Sequence, residues 1–284
     1  MLRCAQNAKY APAWGVRYPI GKYMARPLTA EMRRVLREKV RGKESSARRA
    51  TYTGLRNRGF TDAQGTLTSA GWKQAVVMLP LEEQCKMMGI AYEKILGLEI
   101  SGRPEYAAWC HFSSAGYTGA YCEGGAVLLL IRAAALDLLA KLNTFNSRQD
   151  ACQRFTEAQL LIHQEHSDLI LRAVRSADLS QVIRGFNEIY TSLMVQEYYP
   201  GLTADVMASL FNSLGSETLA QITEAIMEAP YSYRAGWPDL TMTNGDTMLW
   251  AEIKTTDRLH MSQISTLDRM KSLLPGEIRV VHIA

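Results

Sequence analysis

Residues 236–254 read GWPDLTMTNGDTMLWAEIK, and this stretch decides the fold. Asn244-Gly245 is the strongest short-range hairpin signal, and apolar and polar residues on its flanks suit two paired strands. With Asn244 and Gly245 as a two-residue turn, Asp239 lies opposite Trp250, and Glu252 is its diagonal neighbour. Strand alternation puts Trp250, Glu252 and Lys254 on one face, shared by Asp239, and Ile253 on the other. Diagonal neighbours stand ~7–8 Å apart at the backbone. From there two carboxylates can converge on one hard cation through oxygen ligands at ~2.0–2.6 Å. Two acids and a lysine on one strand face, beside apolar neighbours, are costly unless they are used. Phosphodiester hydrolysis is a reason to gather them. A Mg²⁺ or Mn²⁺ ion held by the carboxylates lowers the pKa of a bound water and neutralises charge on the phosphate. The lysine orients or deprotonates that water, or stabilises the phosphorane. A bare D…E-x-K also arises by chance, as a surface salt bridge on a hairpin.

Downstream, LHMSQISTLDRMKSLL (259–274) has Leu259, Ile264, Leu267, Met270 and Leu274 close to one helical face, and EIRVVHIA (277–284) is a buried strand candidate. The C-terminal segment is therefore predicted as β-β-α-β. Upstream, residues 74–230 read as mostly helical. Their longest apolar run, Ala126 to Ala140, is interrupted by Arg132 and Asp137 and falls short of the ~20 residues a bilayer needs.

Nearer the N-terminus, Thr29 is a suitable cap for a helix over AEMRRVLREKV (30–40), which Gly42 stops. Ser45 or Ser46 caps a second helix within SSARRATYTGLRNRG (45–59), and FTDAQGTLTSAGW (60–72) follows as a short hairpin turning at Gln64-Gly65. Helix, helix, hairpin is the order of a winged helix-turn-helix. It would carry Arg48, Arg49, Tyr52 and Arg56 towards a DNA groove. Residues 1–26 show no period and read as an irregular basic arm.

The charge agrees with this division. Net charge is +4 over 284 residues, but residues 1–60 hold 15 Lys+Arg against 3 Asp+Glu, and residues 61–284 hold 17 against 25. A basic end on an acidic body is the footprint of a chain that meets a polyanion at one end. A hydrophobic fraction of 47% and a charged fraction of 21% exclude a largely disordered chain. The five cysteines are scattered, with no C-x-x-C. That argues against a disulfide framework or zinc knuckle and makes a reducing cytoplasm the expected site of action. The N-terminal residues show no apolar signal segment, and no membrane association is expected. His163 and His166, beside Glu165 and Asp168, are a weaker metal candidate; a solvated helical face explains them as well.

Two blocks carry a family resemblance: GWPDL (236–240) with EIK (252–254), DRL (257–259) and Ser262-Gln263, and, upstream, HFSSAGYTGAYCEGGAVLLLI (111–131). Together they resemble the VRR-Nuc branch of the PD-(D/E)xK nucleases, which includes the Fanconi-associated nuclease. The resemblance covers roughly residues 105–284. It implies a restriction-endonuclease-like core at 230–284, joined by a glutamate borne on a helix, Glu123. It implies metal ligation by Asp239, Glu252, Glu123 and the Ile253 carbonyl, Lys254 as the catalytic lysine, and Gln263 as a supporting or phosphate-contacting residue. Arg234, just before the motif, could reach a phosphate or lie free at the surface. The expected fold class is mixed α/β. Its N-terminal two-thirds are mostly helical, with a winged-helix-like segment at 27–78 and a helical bundle, and the β-β-α-β nuclease core follows within 79–284.

The function this implies is a Mg²⁺- or Mn²⁺-dependent DNA nuclease. Its substrates would be flap, branched or duplex DNA in repair or processing, and both endo- and exonuclease action fit. A homodimer is compatible with the resemblance. Two alternatives stand beside it. One is an antibacterial DNase effector, secreted into a target cell's cytoplasm and neutralised in its producer by an immunity protein. The other is a non-catalytic DNA-binding regulator, against which the intact Asp239, Glu252 and Lys254 count.

Overall fold

The computed structural model describes residues 27–143 and 147–284; the basic arm expected at 1–26 lies outside them. The N-terminal layer consists of α1 (Ala30–Val40), α2 (Arg49–Asn57), α3 (Ser69–Val76) and α4 (Leu81–Met88). Thr29 caps α1 as expected, its hydroxyl accepting from the Met32 N–H at 3.2 Å. Met32, Val35, Leu36, Leu55 and Ala75 close a small core of their own between α1, α2 and α3.

Two expectations here need correction. The cap of the second helix is Arg48, without a side-chain bond, and not Ser45 or Ser46, so the helix starts only at Arg49; Ser45 instead bonds the Tyr52 hydroxyl. The hairpin at 60–72 shrinks to a single bridge, Thr61 to Leu67. Asp62 closes that loop by accepting from the Thr66 N–H at 2.7 Å. Thr68 then caps α3 through the Gly71 N–H, so the residues expected as the second strand run into a helix.

The sheet comes next, and it reaches well upstream of residue 230. Its strands are β1 (Ala91–Ile95), β2 (Thr118–Ala120), β3 (Leu240–Thr243), β4 (Met248–Lys254) and β5 (Glu277–Ile283), in the order β1-β5-β4-β3-β2. The β1–β5 and β5–β4 pairs are parallel; β4–β3 and β3–β2 are antiparallel. The expected β-β-α-β unit is present, but β3 and β5 alone would leave two long rows of unpaired backbone groups. β2 covers one and β1 the other. Helix α5 (Pro104–Ser114), between β1 and β2, packs Ala108 and Phe112 onto Leu249, Ala251 and Ile253.

The other sheet face meets a helical body. Helix α6 (Gly125–Leu142) is apolar nearly all round and buried nearly all round, the pattern of a central helix. Around it stand α7 (Arg148–Gln153), α8 (Thr156–Ile162), α9 (Ser167–Ser176), α10 (Leu179–Ile189), α11 (Leu193–Tyr198) and α12 (Ala204–Glu228), the last broken at Gly215. Trp250 and Met248 of β4 join this body's core. Helix α13 (Met261–Met270) crosses between β4 and β5 and joins Ile264 and Leu267 to one core with Val76 of α3 and Leu81, Cys85 and Met88 of α4. With both faces covered, all seven residues of β4 are buried. No helix among the described residues is long and apolar enough to cross a membrane.

The β3–β4 turn also differs from expectation. The residues at its centre are Gly245 and Asp246, because the Asn244 N–H donates to the Thr247 carbonyl at 3.3 Å. The Asn244 side chain accepts from the N–H groups of Asp246 and Thr247 at 3.1 and 3.0 Å, an Asx arrangement that puts asparagine ahead of the turn. Thr241 therefore faces Trp250, and Leu240 faces Ala251.

Candidate active site and nucleic-acid interface

Continuing that register by one residue puts Asp239 directly opposite Glu252, closer than the diagonal placement expected from the sequence. Asp239 lies just before β3 and accepts from the Ile253 N–H through Oδ2 at 2.8 Å. Glu252 is 1% exposed and Lys254 5%. The Lys254 ammonium lies 3.0 Å from Glu252 Oε1 and 3.3 Å from Asp257 Oδ2. Gln263 donates to the same Glu252 Oε1. Gln263 is itself held, because its Oε1 accepts from the His260 N–H at 2.8 Å in a reciprocal cap at the start of α13. Gly236 lets the helix come this close. At φ +89° its α-hydrogen faces Ser262 and Gln263, where a Cβ would stand 2.4 Å from the Ser262 carbonyl.

Glu123 arrives from the other side. It is the non-glycine residue with positive φ (50°) among those described, and its N–H donates to the Asp239 carbonyl at 3.2 Å. A left-handed glutamate is a strained conformation that its surroundings must hold. It exposes the side chain beside Asp239. Glu123 and Asp239 share a cavity of about 350 Å³ with Arg103 and Glu105. Sequence reasoning missed Glu105, Asp257 as a partner of Lys254, and His260, whose ring nitrogen lies 3.3 Å from Asp257. The only sequence signal for Glu105 is an acid in the first turn after Pro104.

Burial drives the electrostatics. It pushes the Asp239 carboxyl up to about 6, opposed by the Ile253 N–H and reinforced by Glu105. It pushes Glu252 up to about 9, with Asp239 next in effect and Lys254 opposing. Burial works against the Lys254 charge, but Glu252 and Asp257 outweigh it and hold the amine above its ordinary value. Glu123 is raised by its desolvated surroundings and then by Glu105. One oxygen is left over: Glu252 Oε2 is buried with no hydrogen-bond partner. Among the described residues no three His, Cys, Asp or Glu side chains are drawn together as a closed metal cluster. Even so, an orphaned carboxylate oxygen, a second carboxylate across the hairpin and an all-oxygen donor set fit a hard divalent cation.

The basic residues are elsewhere. Arg49, Tyr52 and Arg56 line a concavity of about 430 Å³ with Lys39, and the Lys39 ammonium sits 5.7 Å from the Tyr52 ring centroid. Arg48 is exposed, and its backbone N–H bonds Glu31. Arg234 stands over the rings of Phe155 and Tyr231, 5.7 Å from each centroid. His163 closes α8 and His166 lies in the 3-10 turn after it, so the two do not share one helical face.

Comparison with solved structures places the architecture. The chain folds like paFAN1. In the crystal structure of paFAN1 bound to 5′-flap DNA with a 2-nucleotide flap and a gap, the TM-score is 0.53 at 16% identity, over 89% of this chain and 49% of that one. In the complex with a 1-nucleotide flap it is 0.51 at 14% identity, over 83% of this chain and 46% of that one. The chain thus spans about half the length of the structures it matches. No family model and no curated protein matches it.

Proposed function

We propose that this chain is a Mg²⁺- or Mn²⁺-dependent nuclease that cuts DNA at flaps or branches. The observation that carries the reading is Glu252, whose buried Oε2 has no partner while Asp239 and Lys254 flank it. An unpaired buried carboxylate oxygen is costly, and a cation removes that cost. Asp239, Glu252 and the Ile253 carbonyl would hold the ion, with Glu123 completing the set from the helical side. The ion would lower the pKa of a water and neutralise charge on the scissile phosphate.

The rest is done by the chain's own groups. Gln263 keeps Glu252 turned so that Oε2 faces away from the helix. Asp257 draws Lys254 Nζ to the mouth of the site, where the ammonium donates to the attacking water or to the phosphorane oxygen. Lys39, Arg49 and Arg56 would hold backbone phosphates of the duplex, with Arg48 at the margin. The flap preference is supported by the likeness to paFAN1, which is bound to 5′-flap DNA in both complexes.

The test is cleavage of labelled 5′-flap, four-way-junction and linear duplex DNA in Mg²⁺, Mn²⁺ or EDTA, by the wild type and Glu252→Ala. Cutting that needs metal, favours the flap and disappears in the variant is the expected result. Cutting that persists in EDTA, or in Glu252→Ala, would sink the assignment.

A further inference from the structure

A second cavity opens beside Glu123, and the mechanism above leaves it unused. Its volume is about 320 Å³, and its wall runs from Glu123 past Phe155, Tyr198, Tyr199 and Trp237 to Glu157. The wall is shaped for rings. A Cβ on Gly124 would stand 2.3 Å from the Trp237 ring, and one on Gly125 2.3 Å from Tyr199. Two glycines therefore let two aromatic side chains close onto the start of α6. Phe155 and Tyr198 meet edge to face with centroids 5.3 Å apart. Arg234 and Arg103 lie along the same wall.

Glu157 is the unusual member. It is 4% exposed, and its Oε2 is buried without a hydrogen-bond partner. Arg132, the neighbouring buried cation, spends Nε on Thr156 and Nη1 on the Cys152 carbonyl, at 3.3 and 2.8 Å. Burial pushes the Glu157 carboxyl up, opposed by its own backbone N–H and then by the Arg234 and Arg132 charges.

Resting on the nuclease reading, we infer that this cavity receives one unpaired nucleobase of the DNA substrate, next to the bond that is cut, and that Glu157 reads it. Aromatic walls stack a base whatever its identity. A carboxylate in the lining selects in its ionised form, because it then only accepts. Guanine offers N1–H and N2–H side by side. Adenine and cytosine each offer one amino group. Thymine offers a single N–H between two carbonyl oxygens, which a carboxylate repels. The preference therefore runs guanine first and thymine last. Arg234, stacked on Phe155, is placed to meet the phosphate attached to the base.

The experiment has two arms, both on the full chain. The first compares kcat/KM for four flap substrates identical except for the nucleotide beside the cut. The second measures the shift in Tm caused by dGMP or dTMP in EDTA, where no cutting occurs. Guanine is expected to exceed thymine by about tenfold, and dGMP alone is expected to raise Tm. Glu157→Met and Tyr198→Ala should each bring the four substrates to a common rate and abolish the dGMP shift. Tyr198 is 52% exposed, so its variant carries the test if Glu157→Met fails to fold. Equal rates with no dGMP shift in a wild type that cuts would overturn the inference and leave the nuclease standing. A selective dGMP shift with equal rates would make the cavity a free-nucleotide site and overturn it too. A selective shift with no cutting of any substrate would remove the nuclease reading, and with it the placement beside a cut.

Discussion

Glu252 and Lys254 form an ion pair 3.0 Å long at a site almost closed to water, yet the pair leaves one carboxylate oxygen without a partner. Lys254→Ala should abolish cleavage while changing DNA affinity less than twofold, which gel shifts in Ca²⁺ or EDTA measure. A parallel loss of binding would make Lys254 a phosphate contact first. The carboxyls also set a pH dependence. Glu252 is raised from 4.5 to about 9 and Asp239 from 3.8 to about 6, so the folded state binds protons that the unfolded chain has released. Their stabilising contribution is complete below the ordinary values and is lost as pH rises through the folded ones. In EDTA the Tm should therefore fall between pH 5 and pH 9, Glu252→Gln should flatten the fall, and millimolar Mg²⁺ should raise Tm most at the alkaline end. At this scale the residue types were legible in the sequence: D, E-x-K and the glutamine after them can be read directly. Glu105 was not, nor was the pairing of Asp257 with Lys254, because both depend on which loops fold over the strand ends.

The β3–β4 hairpin shows why register was harder to read than identity. Moving the turn centre from Asn244-Gly245 to Gly245-Asp246 shifts the pairing by two residues, which is one full pleat period. Every side chain keeps its face, so the shared face of Asp239, Glu252 and Lys254 survives a wrong register. Their separation does not: the diagonal pair becomes a direct one. Strands β1 and β2 went unread for a different reason. Thr118–Ala120 is three residues long, and Ala91–Ile95 pairs on one side only; each is a strand because a neighbour needs its edge covered. The approach of α13 to the GWPD segment is the element-scale feature most open to a test. Gly236→Ala should destabilise the protein by more than about 1 kcal/mol, through the strained φ and the clash with Ser262. It should lower kcat with it, since Gln263 moves with the helix. Urea denaturation and steady-state rates read the two effects, and an unchanged urea midpoint would show that the contact yields freely.

Across the whole molecule, the N-terminal layer is fastened to the segment between β4 and α13. The Gln84 side chain bonds both the N–H and the carbonyl of Leu259, and Arg258 donates to the Met78 carbonyl at 3.3 Å. The basic concavity and the carboxylates thus belong to one body. Their charge division was visible in composition, because a run of Lys and Arg needs no fold to be counted; the concavity was not, because it exists only where α1, α2 and the Asp62–Gly65 loop meet. If Arg49 and Arg56 both neutralise phosphates, replacing both with Ala should reduce the slope of log K against log salt by about two, whereas Arg48→Ala should change it less. An unchanged slope would remove the concavity from the interface. Strand β4 has a further consequence. It is buried along its whole length and pairs with β3 over Met248–Ala251 and with β5 from Leu249 to Lys254, so the amides of Glu252 and Lys254 should exchange with solvent only through openings near the global unfolding free energy. Around α1 and α2 the N-terminal layer rests on a small core of its own, which should open at a lower free energy than β4. On the nuclease reading, the end proposed to meet DNA breathes on a timescale that the strand bearing Glu252 and Lys254 does not share.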